Sequence, residues 1–217
     1  MDAVTNDVRE YWDNAAATFD EAADHGLLDP SVRAAWSRML MPLLPVHRAT
    51  VADLGCGTGS LSVLLGEAGY EVTGLDVAPL MIAAARQKAL AAGLTSTFVV
   101  GDASAPDLPP SSFDVVLGRH VLWALPDPAA ALGRWIALLR PEGLLLLIEG
   151  HWDTGAGLAA QETLALVRRH GRDATVVRLV EPEFWGREIT DERYLVSSRG
   201  SVDRGHANAT TDTQRTR

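Results

Sequence analysis

The chain has 217 residues, 47% apolar and 22% charged, which suits one globular domain with a sizeable core. Its formal net charge of −9 excludes the basic stripe that phosphate backbones require, so no nucleic-acid partner is expected. A single cysteine, Cys56, rules out an internal disulfide framework and fits a reducing compartment. The opening MDAVTNDVREYWD is polar and acidic, unlike a secretory leader, and the longest apolar run, Leu144–Ile148, is far too short to cross a bilayer. A cytoplasmic protein without membrane partners is the expectation. Oligomeric state, a homodimer included, stays open.

Two helices, Val8–Phe19 and Ser31–Leu44, are expected first, joined by Asp20–Pro30. Short apolar runs then alternate with helical patterns. Ala49–Leu54, Glu71–Leu75, Thr97–Val100 and Asp114–Leu117 read as strands, with helices at Ser60–Ala68, Pro79–Ala92 and Pro128–Leu139. The stretch Arg140–Pro141–Glu142–Gly143 reads as a turn closing the last of these. Gly143–Ile148 (GLLLLI) lacks polar alternation, the pattern of a strand buried on both faces in a mostly parallel sheet. A helix around Ala156–Arg169, a strand around Ala174–Val180, the short segment PEFWGRE and a strand around Arg193–Ser198 follow. Such β–α alternation predicts a doubly wound α/β sheet with helices on both faces. The division expected is a helical cap or lid over 1–45, a core over 46–200 and a disordered tail over 201–217, where little is apolar enough to bury.

The strongest local signal is VADLGCGTGS, Val51 to Ser60, a strand running through Gly55, Gly57 and Gly59 into a helix. Glycines permit positive φ and close approach of the backbone to a ligand, and the helix N-terminus offers free N–H groups. The spacing is D-x-G-x-G-x-G from Asp53, not the G-x-G-x-x-G of dinucleotide folds, and Ser60 stands where the third dinucleotide glycine belongs. A nicotinamide-dependent oxidoreductase is disfavoured accordingly. Asp76 ends the second strand, placed either to accept from two ribose hydroxyls or to cap the helix ahead of Pro79. Asp102 follows the third strand and could accept from an adenine amino group, with the Ala103 N–H facing the ring.

Taken together, VADLGCGTGS, GLDVAPLM, GDASAPDLPPSSFDVVLGRHVLWALPDP and LLRPEGLLLLIEG resemble four ordered motifs of the class I, Rossmann-like S-adenosylmethionine-dependent methyltransferases. The resemblance spans residues 46–150. It implies a seven-stranded sheet whose final strand is antiparallel, and S-adenosyl-L-methionine as cofactor with S-adenosyl-L-homocysteine as product. It places the methionine part over Gly55–Gly59 and near Gly118–His120. YWDNAAATFDE resembles the leading helix of small-molecule methyltransferases of the ubiquinone/menaquinone-biosynthesis type, which makes Tyr11, Trp12 and Phe19 candidates for the site wall. The full cofactor set is Tyr11, Phe19, Asp53, Gly55, Cys56, Gly57, Gly59, Asp76, Val77, Met81, Asp102, Ala103 and Arg119. Arg119 is read as a partner of the cofactor carboxylate or as a surface salt bridge.

Methyl transfer from a sulfonium is an in-line displacement for which proximity and orientation supply roughly 7–11 kcal/mol in favourable cases. A base is needed only when the nucleophile arrives protonated. His120, after the fourth strand, is the candidate base, and its other reading is a strand cap. His25, His151, Trp12, Trp123 and Trp152 are candidate substrate contacts, alternatively ordinary packing of the cap. With Trp185 these tryptophans suit a planar, aromatic or heteroaromatic small-molecule methyl acceptor. Histidines and the cysteine are too scattered along the chain for a zinc motif, so no metal is expected. A protein acceptor is not excluded, and a non-catalytic S-adenosylmethionine-binding partner protein is the rival reading.

Overall fold

The computed structural model describes residues 3–46 and 48–200; the tail expected to be disordered, 201–217, lies outside the described residues. Seven strands form one sheet: β1 (Thr50–Leu54), β2 (Glu71–Asp76), β3 (Thr97–Val100), β4 (Phe113–Arg119), β5 (Leu139–His151), β6 (Thr175–Arg178) and β7 (Glu192–Arg199). Their order is β3-β2-β1-β4-β5-β7-β6. The first five pair in parallel. β7 runs antiparallel to both β5 and β6, as expected for the final strand.

Period-two alternation explains why the central strands carry no polar face. Val115 and Leu117 of β4, with Leu144, Leu146 and Ile148 of β5, enter one core with α3 (Pro30–Leu40) and α4 (Ser60–Glu67). Val116, Leu145 and Leu147 point the other way, onto α6 (Pro128–Leu138) and α7 (Ala160–Arg169). Both faces are therefore apolar, as GLLLLI announces. Ile82, Ala85 and Ala89 of α5 (Pro79–Ala91) form a third cluster with Val63 and Phe98. Helix starts are written locally: Asp29 accepts from Ser31 N at 2.7 Å and Asp127 from Ala130 N at 2.9 Å, each followed by proline at the first helical position.

Trp135 of α6 is fully buried, and its Nε1 donates to Ala103 O at 2.7 Å. It lies flat on Gly118, where an added Cβ would come within 2.6 Å of the indole. The absent side chain at Gly118 thus decides how closely α6 approaches the sheet.

Several boundaries differ from expectation: the first helix runs over Ala3–Ala15, not Val8–Phe19, and the second ends at Leu40, followed by a 3-10 turn at Met41–Leu43. The turn at Arg140–Gly143 is a bulge inside β5: β4 advances from Phe113 to Val115 while β5 advances from Leu139 to Leu144. α7 starts at Ala160, not Ala156, because Gly155 and Gly157 take φ of 81° and 101° in a turn closed by Trp152 N donating to Ala156 O. The connection Asp20–Pro30 is itself folded, with a 3-10 turn at Phe19–Glu21 and a short helix, α2 (Ala23–Gly26). α1 (Ala3–Ala15) and α2 precede β1 and sit at the carboxyl edge of the sheet, where they meet the glycine turn and α5. Among the described residues no helix is long and apolar enough to cross a membrane.

Candidate active site at the carboxyl edge of the sheet

β1 delivers the chain into the glycine turn, where Gly55, Gly57 and Gly59 adopt φ of 69°, 54° and 76°. Gly55 N and Cys56 N donate to Leu75 O of β2 at 2.7 and 3.0 Å, so the turn is anchored on its neighbour. A Cβ on Gly59 would meet the Ala85 Cβ at 2.8 Å; this glycine serves the packing of α5 and does not line the cavity. Asp53 and Asp76 stand beside the turn on adjacent strands. Asp53 accepts from Ser62 Oγ at 2.6 Å, and burial pushes its carboxyl up to about 6 against that hydrogen bond. Asp76 accepts from Gly57 N at 2.8 Å and from Ala78 N at 2.9 Å and lines the cavity. The N-cap of α5 is Ala78, without a side-chain cap, so the capping reading is not realised. Its pKa is raised, chiefly by burial.

These groups wall a cavity of about 500 Å³ between the strand ends and the lid, within the range of small-molecule sites. Of the residues singled out in the sequence, Trp12, Phe19, His25, Asp53, Gly55, Cys56, Gly57, Asp76, Val77, Met81, Asp102, Ala103, Arg119 and His120 line it. Asp102 accepts from Ser104 N at 2.7 Å and so holds its own turn. Burial raises the Cys56 thiol well above its ordinary value.

Tyr11 is placed differently: it is 65% exposed, outside the cavity, and packs edge-on against Trp12 at 5.0 Å. His151, the last residue of β5, is exposed and does not line the cavity. Trp123 and Trp152 stand behind the wall, 5.0 Å apart, with Trp152 edge-on to His120 at 5.4 Å. Trp185 stacks on His120 at 6.0 Å and carries the Arg193 guanidinium 4.7 Å from its ring. These indoles clamp His120 and Arg193. Among the described residues Arg119 forms no salt bridge. Its guanidinium is buried over Trp36 and donates to the carbonyls of Asp24 and His25, tying α2 to β4.

Two features escaped the sequence reading. Glu149 is fully buried, and its Oε1 accepts from Val121 N at 3.2 Å and Leu122 N at 2.8 Å, while Oε2 has no partner. Burial pushes its carboxyl up to about 8, so it is mostly protonated at neutral pH and pins the turn after His120. An acid closing an all-apolar strand was the available signal. The second feature is a set of polar contacts between the N-terminal helical region and the core. Asp20 Oδ1 accepts from Thr58 Oγ1 at 2.5 Å and its Oδ2 lies 2.9 Å from Lys88 Nζ, while Asp13 of α1 accepts from Leu80 N at the start of α5 at 2.7 Å. No local pattern announces partners so distant in sequence.

Histidines scattered along the chain do converge: ligand-type atoms of Asp24, His25 and His120 lie within 4.8 Å of one another. His25 stacks on Phe19 at 4.3 Å, and its Nε2 is 3.7 Å from Asp24 Oδ2. His120 holds a left-handed φ of 58°, uncommon for a residue with a Cβ, and its Nε2 is buried without a partner.

The sheet order and the glycine turn at its carboxyl edge define a Rossmann-like domain. Residues 52–147 match the family described as "Methyltransferase domain". Demethylmenaquinone methyltransferase of Thermus thermophilus is 41% identical over 117 residues, covering 52% of this chain and 53% of that protein. A ubiquinone biosynthesis O-methyltransferase of Xanthomonas euvesicatoria is 38% identical over 107 residues, covering 48% of this chain and 44% of that protein. The chain thus spans about half the length of the curated relatives it matches. Among solved structures, magnesium protoporphyrin IX methyltransferase from Synechocystis PCC 6803, with bound S-adenosylmethionine, superposes with a TM-score of 0.63 at 23% identity over 78% of each chain. Residues 52–147 are thus similar to a methyltransferase domain, and the sheet has the Rossmann-like fold of the solved neighbours.

Proposed function

We propose that this chain moves the methyl group of S-adenosylmethionine to an O, N or C atom of a small, aromatic or heteroaromatic metabolite. The observation that carries the reading is the single cavity where the glycine turn, Asp76 and Asp102 line one part and Trp12, Phe19, His25 and His120 another. In this reading Asp76 accepts from the ribose hydroxyls, Asp102 and the Ala103 N–H meet the adenine, and Val77 and Met81 supply apolar contact to the nucleoside. The backbone of Gly55 and Gly57 leaves room for the methionine arm, since a Cβ on Gly57 would stand 3.2 Å from the Phe19 ring. The aromatic lid residues exclude water from the sulfonium, and orientation supplies most of the acceleration. Two relatives named for menaquinone and ubiquinone biosynthesis support a ring-bearing acceptor.

Calorimetric titration with S-adenosylmethionine and S-adenosylhomocysteine, with NAD as control, tests the cofactor. Saturable binding of both sulfur ligands and none of NAD is expected; binding of neither overturns the reading. Methyl transfer to catechol, hydroxynaphthoquinone and N-heterocycle probes then separates an enzyme from a cofactor-binding protein without turnover.

A further inference from the structure

We infer that His25, carried into the cavity by the N-terminal helices and backed by Asp24, is the general base for an acceptor that arrives protonated, and that His120 is a neutral group that positions it. The inference rests on the methyltransferase reading and asks which histidine can hold a proton during the reaction.

Three observations decide between them. The first is charge. His25 Nε2 lies 3.7 Å from the Asp24 carboxylate, too far for a hydrogen bond and close enough to stabilise an imidazolium. Around His120 the charges of Arg119, Arg193 and His25 oppose a proton and outweigh the Asp24 oxygen that lies within 4.8 Å of its ring nitrogen. Burial is the largest cause of the low basicity of both rings; at His25 it is opposed by Asp24 and by the Phe19 backbone, with Arg119 and Arg193 acting the other way. The second is orientation. The His25 ring is stacked on Phe19, interplanar angle 13°, and α2 is pinned by Arg119, so the imidazole is fixed while it lines the cavity. The third is the unpartnered Nε2 of His120, held by Trp152 and Trp185 at a strained backbone angle. A buried nitrogen without a partner is costly, and a hydrogen bond with an acceptor heteroatom relieves that cost.

The step balances as follows. The acceptor X–H gives its proton to His25, and its freed lone pair forms the X–CH3 bond. The S–CH3 bond breaks with its electron pair passing to sulfur, which becomes the neutral thioether, and the proton leaves His25 for solvent. Because Asp24, His25, Phe19 and Asp20 all belong to the lid, the base is assembled only when the lid is closed. Sequestration and proton acceptance are thereby the same event.

The test has two arms on the full chain. In the first, histidine signals are titrated by NMR in wild type, Asp24→Asn and His120→Gln, with S-adenosylhomocysteine bound. His25 should titrate below the ordinary imidazole range, shift further down in Asp24→Asn, and His120 should stay neutral until the protein unfolds in acid. In the second, turnover of a catechol or hydroxynaphthoquinone probe is followed against pH. His25→Gln should lower kcat roughly 10²–10⁴-fold with S-adenosylhomocysteine affinity nearly unchanged. Asp24→Asn should move the acid limb to lower pH, and His120→Gln should raise the acceptor KM more than it lowers kcat. A His25 titration indifferent to Asp24→Asn, an ordinary titration of His120, loss of the acid limb in His120→Gln alone, or Zn²⁺ binding abolished by His25→Gln would each overturn the assignment. Absent S-adenosylhomocysteine binding would instead sink the methyltransferase reading, and the apo-protein titrations would still decide the dyad.

Discussion

Replacing Glu149 by glutamine should make the protein gain stability relative to wild type as pH rises. The folded carboxyl holds its proton up to about pH 8, whereas the ordinary value from which burial raises it is 4.5. Between those values the native state binds more protons than the unfolded chain, so unfolding free energy falls with rising pH, levelling off above the folded value. At about 1.36 kcal/mol per unit, the loss across the window is roughly 5 kcal/mol. Glutamine keeps an oxygen for Val121 N and Leu122 N and carries no charge at any pH. The variant should match wild type near pH 5 and exceed it by roughly 4 kcal/mol at pH 8. Asp53, raised from 3.8 to about 6, adds a loss of the same sign at lower pH in both proteins and cancels from the difference. Urea unfolding followed by tryptophan fluorescence at pH 5, 6, 7 and 8 measures it. A difference that stays flat across that range, or that shrinks as pH rises, refutes a protonated buried Glu149.

Asp76→Ala should weaken S-adenosylhomocysteine binding by roughly 1–3 kcal/mol, about 5- to 150-fold, read by calorimetry; unchanged affinity would remove Asp76 from the ribose. Lys88→Met breaks the half-buried pair with Asp20 that holds the lid to the glycine turn. Worth at most about 1 kcal/mol, its loss should speed S-adenosylhomocysteine release up to about 5-fold in stopped-flow fluorescence, and an unaltered rate would mean the pair does not limit opening. Gly118→Ala forces a Cβ to within 2.6 Å of Trp135, so it should cost about 1–3 kcal/mol and lower Tm by several degrees in a thermal melt. A melt equal to wild type would show that α6 retreats without penalty.

The β–α alternation was readable because its signals are local: apolar runs of strand length, prolines at helix starts, glycines at the turn; the antiparallel final strand was an expectation from the family resemblance alone. The carboxylates near the cavity were readable for a related reason. Asp53, Asp76 and Asp102 each sit at or just after the end of a parallel strand, and the topology brings all such ends to one edge. Tyr11 and His151 were misplaced by the same logic, since nearness to a strand end or a lid helix does not say which way a side chain turns. Tyr11 lies on the outer face of α1, beside the inward Trp12.

The residues alone therefore determined the class of fold, the glycine turn and the edge at which a ligand would lie, because strand order and turn conformation follow from short-range sterics and hydrophobic periodicity. Tertiary structure alone decided that His25 and His120 share one cluster with Asp24, and that the His120 Nε2 is left without a partner. It also decided that Glu149 is buried and that Asp20 and Lys88 join the N-terminal helical region to the core. Those properties depend on burial and on charges brought together from distant parts of the chain, and Coulomb energy is set by distance in space, not by distance in sequence.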